Sequence, residues 1–286
     1  LPETPLDAVL EGTTGLADAA IAAAVRGTAR TLHARRGVPR GPGGATEALG
    51  VLALGKLGGR ELNLSSDVDL VFFHGSRDRS LEPFFLEQAR AVVAALEPRA
   101  EPGVVFRTDL RLRPFGDAGP LVTSVEALGA YYRDHGRPWE RFALVRARPV
   151  AGLRRDRRRL LELLRDFVYR DYVDFGAVAG LRELRARMAH DVRRRRLDDD
   201  VKLGPGGIRE AEFTVQLGQI VHAARHPQVR VTGFREALEA LARAGVLRGE
   251  TVRDLGEGYA FLRRFEHVLQ AVRDEQTQQL PADRRG

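Results

Sequence analysis

The chain has 286 residues, 43% of them hydrophobic, enough material for one large or two ordinary domains, and two are expected. It has no cysteine, which excludes disulfides and thiolate metal centres, and nothing argues for an oxidising compartment, so the cytoplasm is the expected location. The formal net charge of +7 invites a nucleic-acid reading, but the arginines are interleaved with acids, a pattern of a salt-bridged, solvated surface that predicts no specific nucleic-acid partner.

Residues 1–37 read as helix, with Leu6, Val9, Leu10, Leu16, Ala19 and Ala20 at apolar positions, and residues 38–45 (VPRGPGGA) read as a linker. No apolar run approaches the ~20 residues of a membrane span, and the alanine-rich stretch 16–25 contains Asp18 and lacks a signal-peptide layout. No membrane partner is expected.

Residues 51–54 (VLAL) and 68–73 (VDLVFF) look like short buried strands, and between them lie Gly55, Lys56, Gly58, Gly59, Ser65 and Ser66. Glycines let backbone N–H groups approach an anion and serine hydroxyls add donors, so this turn is suited to phosphate. Asp67 and Asp69 follow. In a strand, residues two apart share a face, so both carboxylates project together while Val68 and Leu70 point into a core. Paired acids repel unless a cation lies between them, and oxygen ligands of this kind suit Mg²⁺ or Mn²⁺.

After a polar turn at 74–80, residues 81–96 look helical. Residues 104–113 (VVFRTDLRLR) alternate as a strand that puts Arg107, Asp109, Arg111 and Arg113 on one face. Asp109 thus offers a third metal ligand, and the arginines offer bidentate phosphate contacts. Residues 115–120 read as a loop. Thr123 with Glu126 forms a capping-box pattern for a helix through Tyr132, and a further helix is expected over 139–147.

Strand and glycine signals fade near 149–154, the expected domain boundary. Beyond it Leu160, Leu163, Leu164 and Phe167 make one helical stripe, and Val178, Leu181, Leu184, Met188 and Val192 another. Only two of the 46 basic side chains are lysines, Lys56 and Lys202, and both sit in glycine-rich segments. Lys202 opens a second such loop, 202–207, which leads into a helix carrying Glu210; its plain reading is a helix start with acids in the first turn. Helices are also expected over 234–247 and 251–276. Two other patterns fail on inspection. GxxxxGK at 50–56 has Leu57 where a P-loop needs Ser or Thr, and His222 and His226 lack the glutamate of a zinc-protease helix.

The segments GKLGGRELNLSSDVDLVF, RTDLRLRPFGDAGPL, WERFALVRARPVAG and KLGPGGIREAEF resemble the glutamine synthetase adenylyltransferase/deadenylylase family, over roughly residues 48–281. The resemblance implies an α+β fold, with a polymerase-β-type nucleotidyltransferase core (a small mixed sheet with flanking helices) over 46–150. A helical segment and linker over 1–45 precede the core, and an all-helical bundle over 151–286 follows it. ELNLSSD at 61–67, RLRPFG at 111–116 and DEQTQ at 274–278 are closer to the AMP-removing half of that family than to the AMP-adding half. The implied reaction is phosphorolysis of adenylylated glutamine synthetase, with inorganic phosphate consumed, ADP released and the PII signal protein as a regulatory partner. Asp67, Asp69 and Asp109 are then the catalytic and metal-holding acids. Gly55, Lys56, Gly58, Gly59, Ser65, Ser66, Arg111, Arg113, Lys202 and Glu210 are the nucleotide and phosphate contacts. AMP transfer from ATP, and a non-catalytic module binding nucleic acid or a regulatory protein, remain the alternatives.

Overall fold

The computed structural model describes residues 5–97, 105–169, 186, 190, 192, 194, 197, 199–273, 277 and 278. The fold is mixed α+β, and the chain divides into two compact units. One comprises Leu10–Leu62 and Ser66–Val168; the other comprises Leu1–Val9, Asn63–Ser65 and Tyr169–Gly286.

The first unit is built on a five-stranded sheet. Strands β1 (Leu49–Ala53) and β2 (Val68–His74) pair antiparallel, Leu49 with His74 through Ala53 with Leu70. That register leaves the glycine- and serine-rich segment as their connection. β3 (Thr108–Asp109) and β4 (Val122–Ser124) both run parallel to β2, at its beginning and its end, and β5 (Arg148–Ala151) lies antiparallel to β1. Parallel neighbours need a crossover. Here helix α3 (Glu82–Leu96) precedes β3 in the chain and buries Phe85, Ala89, Val92 and Leu96 in the same core as Val51, Val68, Leu70 and Phe72. Each of the larger of these buried side chains, Phe, Val and Leu, contributes about 1.5–3 kcal/mol.

The 31-residue helix α1 (Leu6–Arg36) is long and apolar enough, by length and composition, to cross a membrane. Its Ala17, Ile21 and Leu32 nevertheless belong to the sheet's core. The strand expected over 104–113 shrinks to Thr108–Asp109, because the chain turns at once: Arg113 N–H donates to Leu110 C=O at 3.2 Å, and Pro114, which has no N–H, follows. The cap of α4 (Val125–Asp134) is Ser124, whose Oγ accepts the Ala127 N–H at 3.1 Å; Thr123 belongs to β4. Helices α5 (Pro138–Val145) and α6 (Arg154–Val168) complete this unit. Its boundary falls at Val168, later than the fading strand signals, because β5 closes a sheet edge and Phe167 of α6 stacks on Tyr132 of α4 at 5.0 Å.

The second unit contains α7 (Ile208–His222), α8 (Phe234–Arg243) and α9 (Gly249–Arg273), packed through Val215, Leu238, Leu241 and Tyr259. Phe234 stacks on Tyr259 with centroids 3.7 Å apart. The stripe expected at 178–192 and the charged run 193–198 fall largely outside the described residues.

His74 ends β2 buried, stacked on Phe85 at 4.7 Å, and its Nδ1 has no hydrogen-bond partner. Burial lowers its pKa from the ordinary value of 6.5, against the opposing pull of Glu82, Glu47 and Glu126. The unfolded chain therefore binds this proton first as pH falls. The stabilising contribution is full above about pH 6.5 and is lost as pH drops from there through the lowered folded value. Denaturant midpoints measured from pH 7 to pH 5 should fall less steeply in His74→Leu than in the wild type.

Candidate active site

The connection between β1 and β2 begins at Gly55, whose φ of +54° is a left-handed conformation and whose missing Cβ would lie 2.2 Å from Asp69 Oδ2. Only glycine lets backbone come this close to that carboxylate. Gly55–Gly58 then forms a single helical turn, α2, with Lys56 half-buried inside it. Gly58 is tightly packed against backbone. A Cβ there would sit 2.0 Å from the Arg146 carbonyl oxygen and 2.8 Å from that of Ala53, and its N–H already donates to Leu54 C=O at 2.8 Å. The Gly59 N–H is likewise spent on Gly55 C=O, at 3.1 Å.

Two arginines, Arg148 at the start of β5 and Arg146 just before it, pin this turn. Arg148 donates to both oxygens of Asp18 on α1, at 2.8 and 3.0 Å, and to the carbonyls of Leu57 and Gly58, at 2.9 and 3.4 Å. Arg146 pairs with Glu61 at 2.7 Å, with both side chains largely buried. Breaking a pair so enclosed leaves an uncompensated charge, at a cost of about 3–5 kcal/mol. Pattern reading missed this clamp. Its only trace in the sequence is the alternation of Arg146 and Arg148 within VRARPV.

Further along, Ser65 and Ser66 are both buried. Asn63–Ser65 belong to the helical unit, where Asn63 Nδ2 donates to Glu266 Oε2 at 2.7 Å and to Gln270 Oε1 at 3.2 Å, and Asn63 Oδ1 accepts from Arg263. All four side chains are fully buried. A polar network of this kind is costly wherever a buried group goes unmatched, and within it Gln270 Nε2 makes no hydrogen bond among the described residues.

The acids come next. The parallel register of β2 and β3 sets Asp69 directly beside Asp109, and Asp67 lies two residues before Asp69. Thr108 is tethered from α3's end: Glu97 Oε1 accepts both its hydroxyl, at 2.7 Å, and its N–H. Asp67 accepts from Arg107 Nε at 2.9 Å. Asp109 accepts from the Arg111 N–H at 2.8 Å and from Arg111 Nε at 3.0 Å on both carboxylate oxygens. The Arg111 hydrogen bonds hold the Asp109 carboxyl below the usual carboxylate range and raise the guanidinium's own pKa.

Three carboxylates and no softer donor make a set suited to a hard divalent cation. Among the described residues, no three His, Cys, Asp or Glu side chains are gathered closely enough to hold a metal in these rotamers, since Asp67 and Asp109 are turned onto arginines. The chemistry of the set fits Mg²⁺ or Mn²⁺.

The arginine two residues after Arg111 departs from the alternation expected of the strand. Arg113 does not share the face of Asp109, because the strand stops. Its guanidinium is largely buried and donates to the carbonyls of Leu110, Asp117 and Gly119 at 2.8, 3.2 and 3.3 Å. Lys202 and Glu210 lie in the helical unit. There Asp200 Oδ1 accepts the Lys202 N–H at 2.9 Å, and Glu210 Oε2 accepts the Gly206 N–H at 3.0 Å, which closes the turn before α7.

Residues 2–163 match a family model described as glutamate-ammonia ligase adenylyltransferase, and residues 182–286 match one described as GlnD PII-uridylyltransferase. The interval between the matches brackets the unit boundary at Val168. Curated relatives named bifunctional glutamine synthetase adenylyltransferase/adenylyl-removing enzyme include that of Thioalkalivibrio sulfidiphilus, 45% identical over 98% of this chain and 30% of the relative. Those of Nitrosococcus oceani (44% identical, 87% of this chain, 27% of the relative) and Aromatoleum aromaticum (43%, 96%, 30%) are similar. The chain therefore spans less than a third of the length of these relatives.

The packing role of Gly58 is directly testable. In Gly58→Ala the new methyl meets two carbonyl oxygens that cannot rotate away, so the urea midpoint should fall by the equivalent of about 1–3 kcal/mol. Wild-type stability with weakened nucleotide binding would instead make Gly58 a ligand contact.

Proposed function

Because this chain belongs to the glutamate-ammonia ligase adenylyltransferase family, we propose that it is the metal-dependent module that removes AMP from adenylylated glutamine synthetase by phosphorolysis. The observation that carries the reading is the register that sets Asp69 beside Asp109, with Asp67 immediately ahead of the strand. The removing direction is supported by the ELNLSSD, RLRPFG and DEQTQ segments. Glutamine synthetase as substrate is supported by the names of the relatives, and the PII protein as partner by the name of the second family model. ADP, ATP and inorganic phosphate are the small-molecule partners that fit, and the cytoplasm is the compartment that holds them.

One or two divalent cations, held by Asp67, Asp69 and Asp109, would supply charge stabilisation at the α-phosphate and at the leaving tyrosyl oxygen. The chain's own part is electrostatic and positional. A phosphate oxygen bonds to the α-phosphorus as the bond to the tyrosyl oxygen breaks, so AMP leaves as ADP and the tyrosyl oxygen takes up a proton. Arg111, now paired with Asp109, is placed to turn its bidentate donors to the incoming phosphate, and Arg107 to balance charge beside Asp67. No covalent enzyme intermediate is needed.

The test is to incubate the protein with adenylylated glutamine synthetase, Mg²⁺ and phosphate and to measure ADP. Asp69→Asn should lower the rate by on the order of 10²–10³ while leaving the melting temperature unchanged or slightly higher, since one of two adjacent like charges is removed. Incorporation of AMP from ATP, with no ADP released from the adenylylated protein, would reverse the assigned direction.

A further inference from the structure

Among the described residues, two that are not glycine have a positive φ: Arg60 and Phe115. Phe115, at φ 62° and ψ 10°, is the more telling, because a bulky aromatic side chain is a genuine outlier in the left-handed region. The residue is also 56% exposed. Both features are unfavourable, and the surrounding structure enforces both. The ring of Phe115 lies against Tyr131, whose hydroxyl donates to Glu140 Oε1 at 2.8 Å. Glu140 is buried, and its other oxygen accepts the Arg137 N–H at 2.7 Å. The loop itself is pinned by the Arg113 guanidinium and by the Gly116 N–H donating to Arg113 C=O at 2.8 Å. The Phe115 ring meets Tyr131 edge-on, centroids 4.7 Å apart and planes at 71°, and leans on His135 at 5.8 Å. Aromatic neighbours thus brace the ring on one side while over half of the residue stays open to solvent.

Backbone strain of this kind persists only where neighbours over-determine it, and it concentrates at ligand contacts. The pinned loop leads straight from Asp109 through Arg111 to Phe115. We propose that Phe115 is the stacking platform for the adenine base of the nucleotide whose phosphates lie at Asp69, Asp109 and Arg111. The proposal rests on the nucleotidyltransferase reading above. A planar base is the complement of an exposed, immobilised aromatic face, and stacking is indifferent to hydrogen-bonding pattern, which fits a position with no polar side chain of its own.

Calorimetric titration in Mg²⁺ with two probes separates base from phosphate: ADP, and inorganic pyrophosphate, which has no base. Phe115→Ala should weaken ADP about tenfold or more, Phe115→Trp should keep wild-type affinity, and pyrophosphate should bind all three proteins alike. Unchanged ADP affinity in Phe115→Ala overturns the inference, as does an equal loss of ADP and pyrophosphate, which would mean the loop and not the stack had failed. Normal ADP binding with weakened binding of adenylylated glutamine synthetase would assign the ring to protein docking instead. A wild type that binds pyrophosphate but not ADP removes the base site, and one that binds neither removes the nucleotidyltransferase reading with it.

Discussion

Two carboxylates side by side on one small sheet, Asp69 and Asp109, with Asp67 just ahead of them, set the terms for the rest of the first unit. Adjacent strands lie about 4.8 Å apart, so Asp69 and Asp109, side by side in parallel register, hold like charges at a separation where repulsion near a protein surface amounts to roughly 3–4 kcal/mol. A fold does not keep such a pair without countermeasures. Arg107 on Asp67 and Arg111 on Asp109 provide the compensating charge. Glu97 tethers Thr108, so β3 holds its register although it is only two residues long.

The connection between β1 and β2 answers a second requirement, that backbone approach these acids closely and hold still. Gly55 provides the approach. Rigidity comes from elsewhere in the chain: Arg148 binds the turn's carbonyls while anchored by Asp18 of α1, and Arg146 holds Glu61. Arginine suits this work because one planar fork can satisfy a carboxylate and two carbonyls at once. Within the helical unit, the Asn63 side chain is bound by Arg263, Glu266 and Gln270 of α9. Ends of the connection that carry chemistry are thus positioned by residues that carry none.

The loop after β3 shows the same division of labour. In RLRPFG the first three residues read as the end of a strand, with both arginines facing phosphate. Instead its second arginine becomes an internal staple, and its phenylalanine is held in a conformation that phenylalanine avoids. Arg111 alone keeps the orientation that alternation assigns to it, because it turns back on Asp109 within two residues.

The elements were legible in the sequence wherever periodicity and breakers agreed. α1, β1, β2, α3 and the helices of the second unit follow from apolar spacing, and the DxD pair follows from the two-residue period of a strand, both local properties of the chain. Composition excluded thiolate chemistry outright. The parallel partner of β2, the true length of β3, the switch of Arg113 from ligand to staple and the burial of Gly58 against Arg146 were not legible. Each depends on which distant backbone atoms arrive beside a residue. Alternation cannot say where a strand stops when the next proline and glycine already close a turn, and a glycine kept for phosphate looks the same in sequence as one kept to pass a carbonyl. The chemistry of the site was written in residue types; its convergence on one face was decided by tertiary pairing, because only the register of β2 against β3 sets Asp109 next to Asp69.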